Sequence, residues 1–147
     1  STGSGLNVNR MTPRDTVRML RAMVIWLDKY GLKADAVMGL GGIDPGTMRA
    51  RFADSVFAGS VIAKTGTLTS TDSGMAALAG VMRTRNRGTL LFTVYDNAES
   101  RRVVPLRKTQ DEFLKNLMNE LGGPAPEKER SLTSNGDRLQ SRVILAE

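Results

Sequence analysis

The sequence contains no cysteine and no histidine among its 147 residues. Their absence excludes disulfides, thiolate nucleophiles, histidine general bases and the usual zinc sites from this chain. No apolar run of about eighteen residues occurs, so no transmembrane helix is predicted. No signal peptide is visible either, and the loop-like opening "STGSGLNVNR" leads us to expect a chain that begins inside a longer protein.

Aromatic residues make up only 5% of the chain, whereas lysine and arginine outnumber acidic residues by 21 to 15. The net charge of +6 favours an anionic partner such as nucleic acid, an acidic lipid or an anionic wall polymer. No basic stripe alternates with aromatic rings that could stack on bases, so nucleic acid is the least favoured of these partners. The 40% hydrophobic content is sufficient for a folded core.

Residues 11–31, "MTPRDTVRMLRAMVIWLDKYG", carry the start and stop signals of a helix. Thr12 is a favourable N-cap, Pro13 suits the first helical position, and Gly31 ends the pattern. Two apolar stripes run along this segment, so we expect a largely buried helix. The stripes consist of Val17, Leu20, Val24 and Leu27, and of Met19, Met23, Trp26 and Tyr30.

Three strands are predicted at 60–68, 74–83 and 89–96, and the last two are joined by the hairpin signal "TRNRG". The second strand is small and apolar on both faces, which is typical of a central strand. A second helix is predicted over 105–121, where glycines and a proline end it. Together with a turn-rich segment at 36–52, this order predicts an α+β fold built on an antiparallel sheet flanked by helices.

The first strand ends in Lys64-Thr65-Gly66-Thr67. Side chains alternate along a strand, so both threonine hydroxyls are expected on one side. Gly66 would allow another backbone to approach, and a strand at a sheet edge could pair with an extended peptide. This combination favours a site for a short peptide that ends in a carboxylate.

Three segments in order resemble one family, the penicillin-binding serine D-alanyl-D-alanine carboxypeptidases of peptidase family S13. "TGSGLN…MTPRD" (2–15) resembles its "DGSGLS…TP", and "GIDPGTMRARF" (42–52) resembles its "G.DGTL..RF". "AKTGTL" (63–68), followed by "ALAG" (77–80), resembles its "AKTGTL…ALAGY", which contains the Lys-Thr-Gly motif of serine penicillin-binding enzymes. The resemblance covers about residues 2–121.

The resemblance implies a β-lactamase/transpeptidase-like fold, of which residues 1–122 would be the C-terminal portion. Residues 123–147 are charged and are expected to form a mobile tail, although "RLQSRVILAE" could pair as a strand. It implies that Lys64 stabilises the substrate carboxylate and assists proton transfer, and that Thr65 and Thr67 bind the terminal carboxylate. It also implies that the Thr67 N–H forms half of an oxyanion hole. Gly66 and Leu68 complete the implied substrate strand.

The family reaction needs a serine nucleophile with a lysine three residues later, and no serine in this chain has one. No serine is followed two positions later by asparagine either, so the family's second motif is absent. Tyr95-Asp96-Asn97 imitates that motif but follows the Lys-Thr-Gly strand, out of family order, and we interpret it as a strand end. We expect the nucleophile upstream of this chain.

The leading hypothesis is therefore part of a D-Ala-D-Ala carboxypeptidase, or an endopeptidase, that forms an acyl-enzyme with peptidoglycan stem peptides. Its expected partners are stem peptides ending in D-Ala-D-Ala, β-lactam antibiotics and the N-terminal part of the same protein. No cofactor, metal or nucleic acid is expected, and the location would be periplasmic or otherwise extracytoplasmic. The alternatives are a peptidoglycan-binding module that lost its serine and, less favoured, a basic nucleic-acid-binding module.

Overall fold

The structure is a computed structural model, and it describes residues 10–68, 74–97 and 103–125. The elements are the helix α1 (Pro13–Asp28), a short 3-10 turn (Ala34–Ala36), the strands β1 (Gly39–Leu40), β2 (Val61–Leu68), β3 (Met75–Thr84) and β4 (Gly88–Asn97), and the helix α2 (Val103–Glu120). The strands form one antiparallel sheet in the order β1-β2-β3-β4. The predicted α+β class, an antiparallel sheet flanked by helices, is confirmed.

The three long strands lie close to their predicted positions, and β3 is central between β2 and β4. β2 pairs with β3 from Val61↔Met82 to Leu68↔Met75. β1 was not predicted, because it has only two residues within the glycine-rich turn segment. Gly39 and Leu40 pair with the first part of β2 and form the edge of the sheet there.

The two helices cover opposite faces of the sheet. α1 packs its buried Leu20 against the face that carries Ile62 and Val81. α2 packs Leu114 and Met118 against the other face. Side chains alternate along β4, because Phe92, Leu90 and Val94 belong to the α2 side whereas Leu91 belongs to the α1 side.

Local sequence signals account for the helix ends. The Thr12 side chain accepts a hydrogen bond from the Asp15 N–H, which satisfies one of the free donors at the start of α1. Gly31, after the end of α1, has φ of 67°. Gly122, after the end of α2, has φ of 90°, a value that side-chain-bearing residues rarely adopt.

The prediction that α1 is buried on two sides is wrong. The stripe with Leu20 and Leu27 faces the sheet, and Met23 of the second stripe is partly buried against the same cluster. On the second stripe the exposed fractions are 54% for Met19, 43% for Trp26 and 63% for Tyr30. Helical periodicity identified the apolar stripe correctly, but the described part of the chain provides nothing that covers it.

The predicted tail begins with residues that are bonded to the sheet. Pro124 forms an isolated bridge with Thr84, and the Ala125 N–H donates to the Arg83 carbonyl at 3.0 Å. Residues 126–147 lie outside the described residues, so the mobility of the tail stays a prediction. Within the described ranges, no helix is long and apolar enough to span a membrane.

Gly80 and Gly66 allow a matched test of strand packing. A Cβ at Gly80 would lie 2.7 Å from the Ala63 Cα and 2.8 Å from the Ala63 Cβ, whereas one at Gly66 would have its nearest contact at 3.4 Å. We expect Gly80→Ala to lower the free energy of unfolding by about 1–3 kcal/mol or more through overpacking. Gly66→Ala should leave it nearly unchanged. Equal melting temperatures for the two variants in thermal denaturation would contradict this account of the β2–β3 contact.

Candidate functional site

The candidate site is the part of β2 that extends past β1. β1 pairs only with Ile62 and Ala63. The segment 64–68 continues beside β3 with no strand on its other side among the described residues. An unpaired strand edge of this kind presents free main-chain donors and acceptors to an extended ligand.

The direction of the main-chain groups follows from the hydrogen bonds at the start of the strand. The Val61 carbonyl accepts from the Gly41 N–H at 2.8 Å on the β1 side. The Ser60 carbonyl accepts from the Arg83 N–H at 2.9 Å on the β3 side. Because this direction alternates along a strand, the main-chain N–H and C=O groups of Thr65 and Thr67 face the open edge.

The side chains of the motif divide between the two faces of the sheet, as the strand period requires. Lys64 lies opposite Ala79 on the α1 face, and its ammonium donates to the Thr65 carbonyl at 2.6 Å. Thr65 and Thr67 point to the α2 face together, which confirms that their hydroxyls share a side. Lys64 is exposed, and in the described part of the chain it is bound only to its own strand.

A cavity of about 460 Å³ lies between α1 and the sheet, but Lys64 does not line it. Its lining includes Ile62, Val81 and the hairpin residues Thr84 and Gly88, at the opposite end of β2 from the motif. This cavity therefore forms no cleft beside Lys64. The open strand edge is the feature that the motif residues share.

Each threonine hydroxyl has a partner from a different segment. Thr65 donates to the Thr47 hydroxyl at 3.0 Å, which ties β2 to the turn segment before it. Thr67 accepts from Arg107 Nη2 at 2.9 Å. No sequence signal predicts this second contact, because 40 residues separate its partners and Arg107 resembles an ordinary charged residue at a helix entry.

A buried arginine holds the start of α2 behind this site. Arg51 is only 5% exposed, and its guanidinium contacts Asp111 Oδ1 at 2.7–2.8 Å, the Arg107 carbonyl at 3.1 Å and Gln110 Oε1 at 3.0 Å. Burial raises the pKa of Asp111, and the Arg51 guanidinium beside it opposes that shift. From the sequence, Arg51 belongs only to the turn-rich segment 36–52, and nothing in that pattern predicts its burial.

Gln110 extends the same network into the sheet. Its amide nitrogen donates to the Ala76 carbonyl at 3.0 Å and to Asp96 Oδ2 at 2.8 Å. The neighbouring Tyr95 hydroxyl bonds to the Thr16 hydroxyl at 2.5 Å. Tyr95 and Asp96 therefore join the sheet to the two helices, and both lie at the end of β4, where the sequence predicted a strand end.

No group of three or more acidic side chains that could hold a metal ion is found in the described ranges. The chemistry that these residues offer is recognition, through the main-chain groups of one open strand edge, two hydroxyls and two cations. One cation lies on each face of β2.

Solved structures that share this fold include several from the bacterium Bdellovibrio bacteriovorus. The penicillin G-acylated Bd3459 predatory endopeptidase, in complex with the immunity protein Bd3460, is 26% identical with a TM-score of 0.71, over 90% of this chain and 35% of that chain. The K38M form of Bd3459 is 25% identical with a TM-score of 0.70, over 90% and 34%. The Bd0816 predatory endopeptidase, also in complex with Bd3460, shares the fold at 22% identity with a TM-score of 0.71, over 89% and 33%.

This chain thus spans about a third of the length of the solved structures that it matches. None of the curated proteins matches it. The family model of the D-Ala-D-Ala carboxypeptidase 3 (S13) family matches residues 1–117, a range that includes α1, the whole sheet and most of α2. The chain therefore belongs to the D-Ala-D-Ala carboxypeptidase 3 (S13) family.

Proposed function

We propose that this chain provides the substrate-binding strand of a serine-type peptidase that acts on the stem peptides of peptidoglycan. The observation that carries the proposal is the open edge of β2, where Lys64 and the main-chain groups of Thr65 and Thr67 meet. Membership of the S13 family and the likeness to Bd3459, a predatory peptidoglycan endopeptidase, support the choice of substrate.

An extended stem peptide would bind by adding a strand to this edge. Its main chain would pair with Thr65 and Thr67, whose N–H and C=O groups face outward. The scissile carbonyl would then lie beside the Thr67 N–H, which is the half of the oxyanion hole that this chain can offer. A donor of this kind stabilises the tetrahedral intermediate by about 3–4 kcal/mol.

The reaction would be acyl transfer to a serine outside this chain, since no serine here has the required lysine partner. The serine oxygen would form a bond to the peptide carbonyl carbon, and the amide bond to the leaving residue would break. The leaving nitrogen would take up the proton that the serine loses, and water would later hydrolyse the ester. Lys64, with its ammonium at the open edge, would assist that proton transfer and stabilise the developing negative charge.

Loss of a terminal D-alanine is our proposed outcome, and cleavage of a cross-link is the alternative. Both reactions place an amide at the same edge and leave the same acyl-enzyme. A periplasmic or otherwise extracytoplasmic location is proposed with either activity, because peptidoglycan stem peptides are found there.

The test is covalent labelling of the complete polypeptide that contains this chain. After incubation with benzylpenicillin, intact mass spectrometry should show one added penicilloyl group, and pre-hydrolysed benzylpenicillin should add none. A stem-peptide substrate should compete with the labelling. If the folded protein gives no adduct, the catalytic proposal is wrong; stem-peptide binding without an adduct would instead favour the non-catalytic binding module.

A further inference from the structure

Arg107 brings a guanidinium to the substrate strand from a helix that the family motifs do not include. Its Nη2 donates to Thr67 Oγ1 at 2.9 Å, and its side chain is otherwise exposed. Within residues 10–68, 74–97 and 103–125, no carboxylate forms an ion pair with it. Since a guanidinium carries five N–H donors, most of its donors remain for a ligand at this position.

The bond to Arg107 determines what the Thr67 hydroxyl can do. Because its oxygen accepts from the guanidinium, its own proton is left for another acceptor. Thr65 differs, since its proton is already donated to Thr47. Thr67 and Arg107 therefore present donors to the same place, and the group that best accepts from both is an anion with two oxygens.

The main chain of Arg107 is held by the buried side chain of Arg51. Its carbonyl accepts from Arg51 Nη2 at 3.1 Å, and Arg51 is buried and held by Asp111. This part of α2 cannot shift along the sheet without breaking that buried ion pair. A preorganised guanidinium binds a carboxylate with less loss of conformational entropy than a free one.

We propose that Arg107, together with the Thr67 hydroxyl, binds the substrate carboxylate next to the leaving nitrogen. This inference rests on the proposed function, because it takes the peptide to lie along the edge of β2. It also gives the two cations different roles: Arg107 binds the substrate carboxylate, and Lys64 assists the proton transfer. Lys64 lies on the α1 face of the strand, so the cation beside Thr67 is Arg107.

The experiment compares Arg107→Met with Lys108→Met in the complete polypeptide. Lys108 is the matched control, because it is the next residue of α2, is 81% exposed and, among the described residues, pairs only with Glu112 at 3.8 Å. The probes are diacetyl-L-Lys-D-Ala-D-Ala and its C-terminal amide, with kcat/KM measured for cleavage of the terminal bond. Wild-type protein should prefer the acid; Arg107→Met should lower kcat/KM for the acid by about 10- to 100-fold and leave the amide within about threefold. Lys108→Met should change neither.

Arg107→Lys keeps the positive charge but loses the forked geometry, so it should retain part of the preference for the acid. Thermal denaturation of each variant verifies the fold. If Arg107→Met does not fold, the acid-to-amide ratio of Arg107→Lys is compared with that of the wild type instead. An unchanged acid-to-amide ratio in Arg107→Met, or no acid preference in the wild type, would overturn this inference while leaving the peptidase proposal intact. A wild-type protein that neither cleaves the peptides nor reacts with benzylpenicillin would overturn the proposed function itself.

Discussion

Replacing Lys64 by methionine in the complete polypeptide is expected to slow acylation by benzylpenicillin by about 100- to 1,000-fold. That range is typical for the loss of one preorganised group that stabilises developing charge. The Lys64 ammonium lies 2.6 Å from the Thr65 carbonyl, so its charge is fixed at the open edge where the proposed acyl transfer would take place. The acylation rate can be measured by quenching the reaction at set times and quantifying the penicilloyl adduct by intact mass spectrometry.

The fold should survive this substitution, because Lys64 is exposed and its main chain keeps its place opposite Ala79 in the sheet. The melting temperature should therefore stay within about 2 °C of the wild-type value. Lys108→Met removes the same charge from an exposed site on α2 and should acylate at the wild-type rate. If Lys64→Met also acylates within about threefold of wild type, Lys64 has no part in the chemistry.

The elements of this fold were predictable from sequence because their signals are local. A threonine cap and a proline begin α1, glycines follow both long helices, and the period of two along β4 divides its side chains between the faces. The central position of β3 followed from its small apolar residues on both faces. Each of these signals lies in the sequence within a few residues of the helix end or strand that it specifies.

The site was predictable only in part. The sequence proposed Lys64, Thr65 and Thr67 as candidate site residues, and it predicted correctly that the two hydroxyls share a face. Whether the strand edge is open depends on the length of β1, a neighbour of two residues with no pattern of its own. The contact of Arg107 with Thr67 depends on how α2 lies across the sheet, which no periodicity in either segment encodes.

Burial was the least predictable property. The second stripe of α1 has the periodicity of a buried face, yet Met19 and Tyr30 are more than half exposed in the described structure. For Arg51 the difference is the reverse: a charged residue in a turn-rich segment is expected to be exposed, yet it is 5% exposed. Its partners lie 56–60 residues away in sequence, so only the tertiary fold could reveal that the charge is compensated.

Arg51→Met is expected to destabilise the protein by about 3–5 kcal/mol. The substitution leaves the Asp111 carboxylate in a partly buried position without its partner, and it removes the donors to the Arg107 carbonyl and to Gln110. Breaking a buried ion pair on one side typically has a cost of this size. The melting temperature should fall by about 10–20 °C, measured by differential scanning calorimetry.

Arg49→Met is the matched control, because Arg49 is exposed two positions earlier and no side-chain bond to it is found in the described structure. It should melt within about 2 °C of the wild type. The double variant Arg51→Met/Asp111→Leu should recover part of the lost stability, since it leaves no unpaired buried carboxylate. Even so, it should not recover the acid-over-amide preference, because the start of α2 loses the bond that holds the Arg107 main chain. An Arg51→Met protein that melts like Arg49→Met would show that the buried pair does not hold α2 against the sheet.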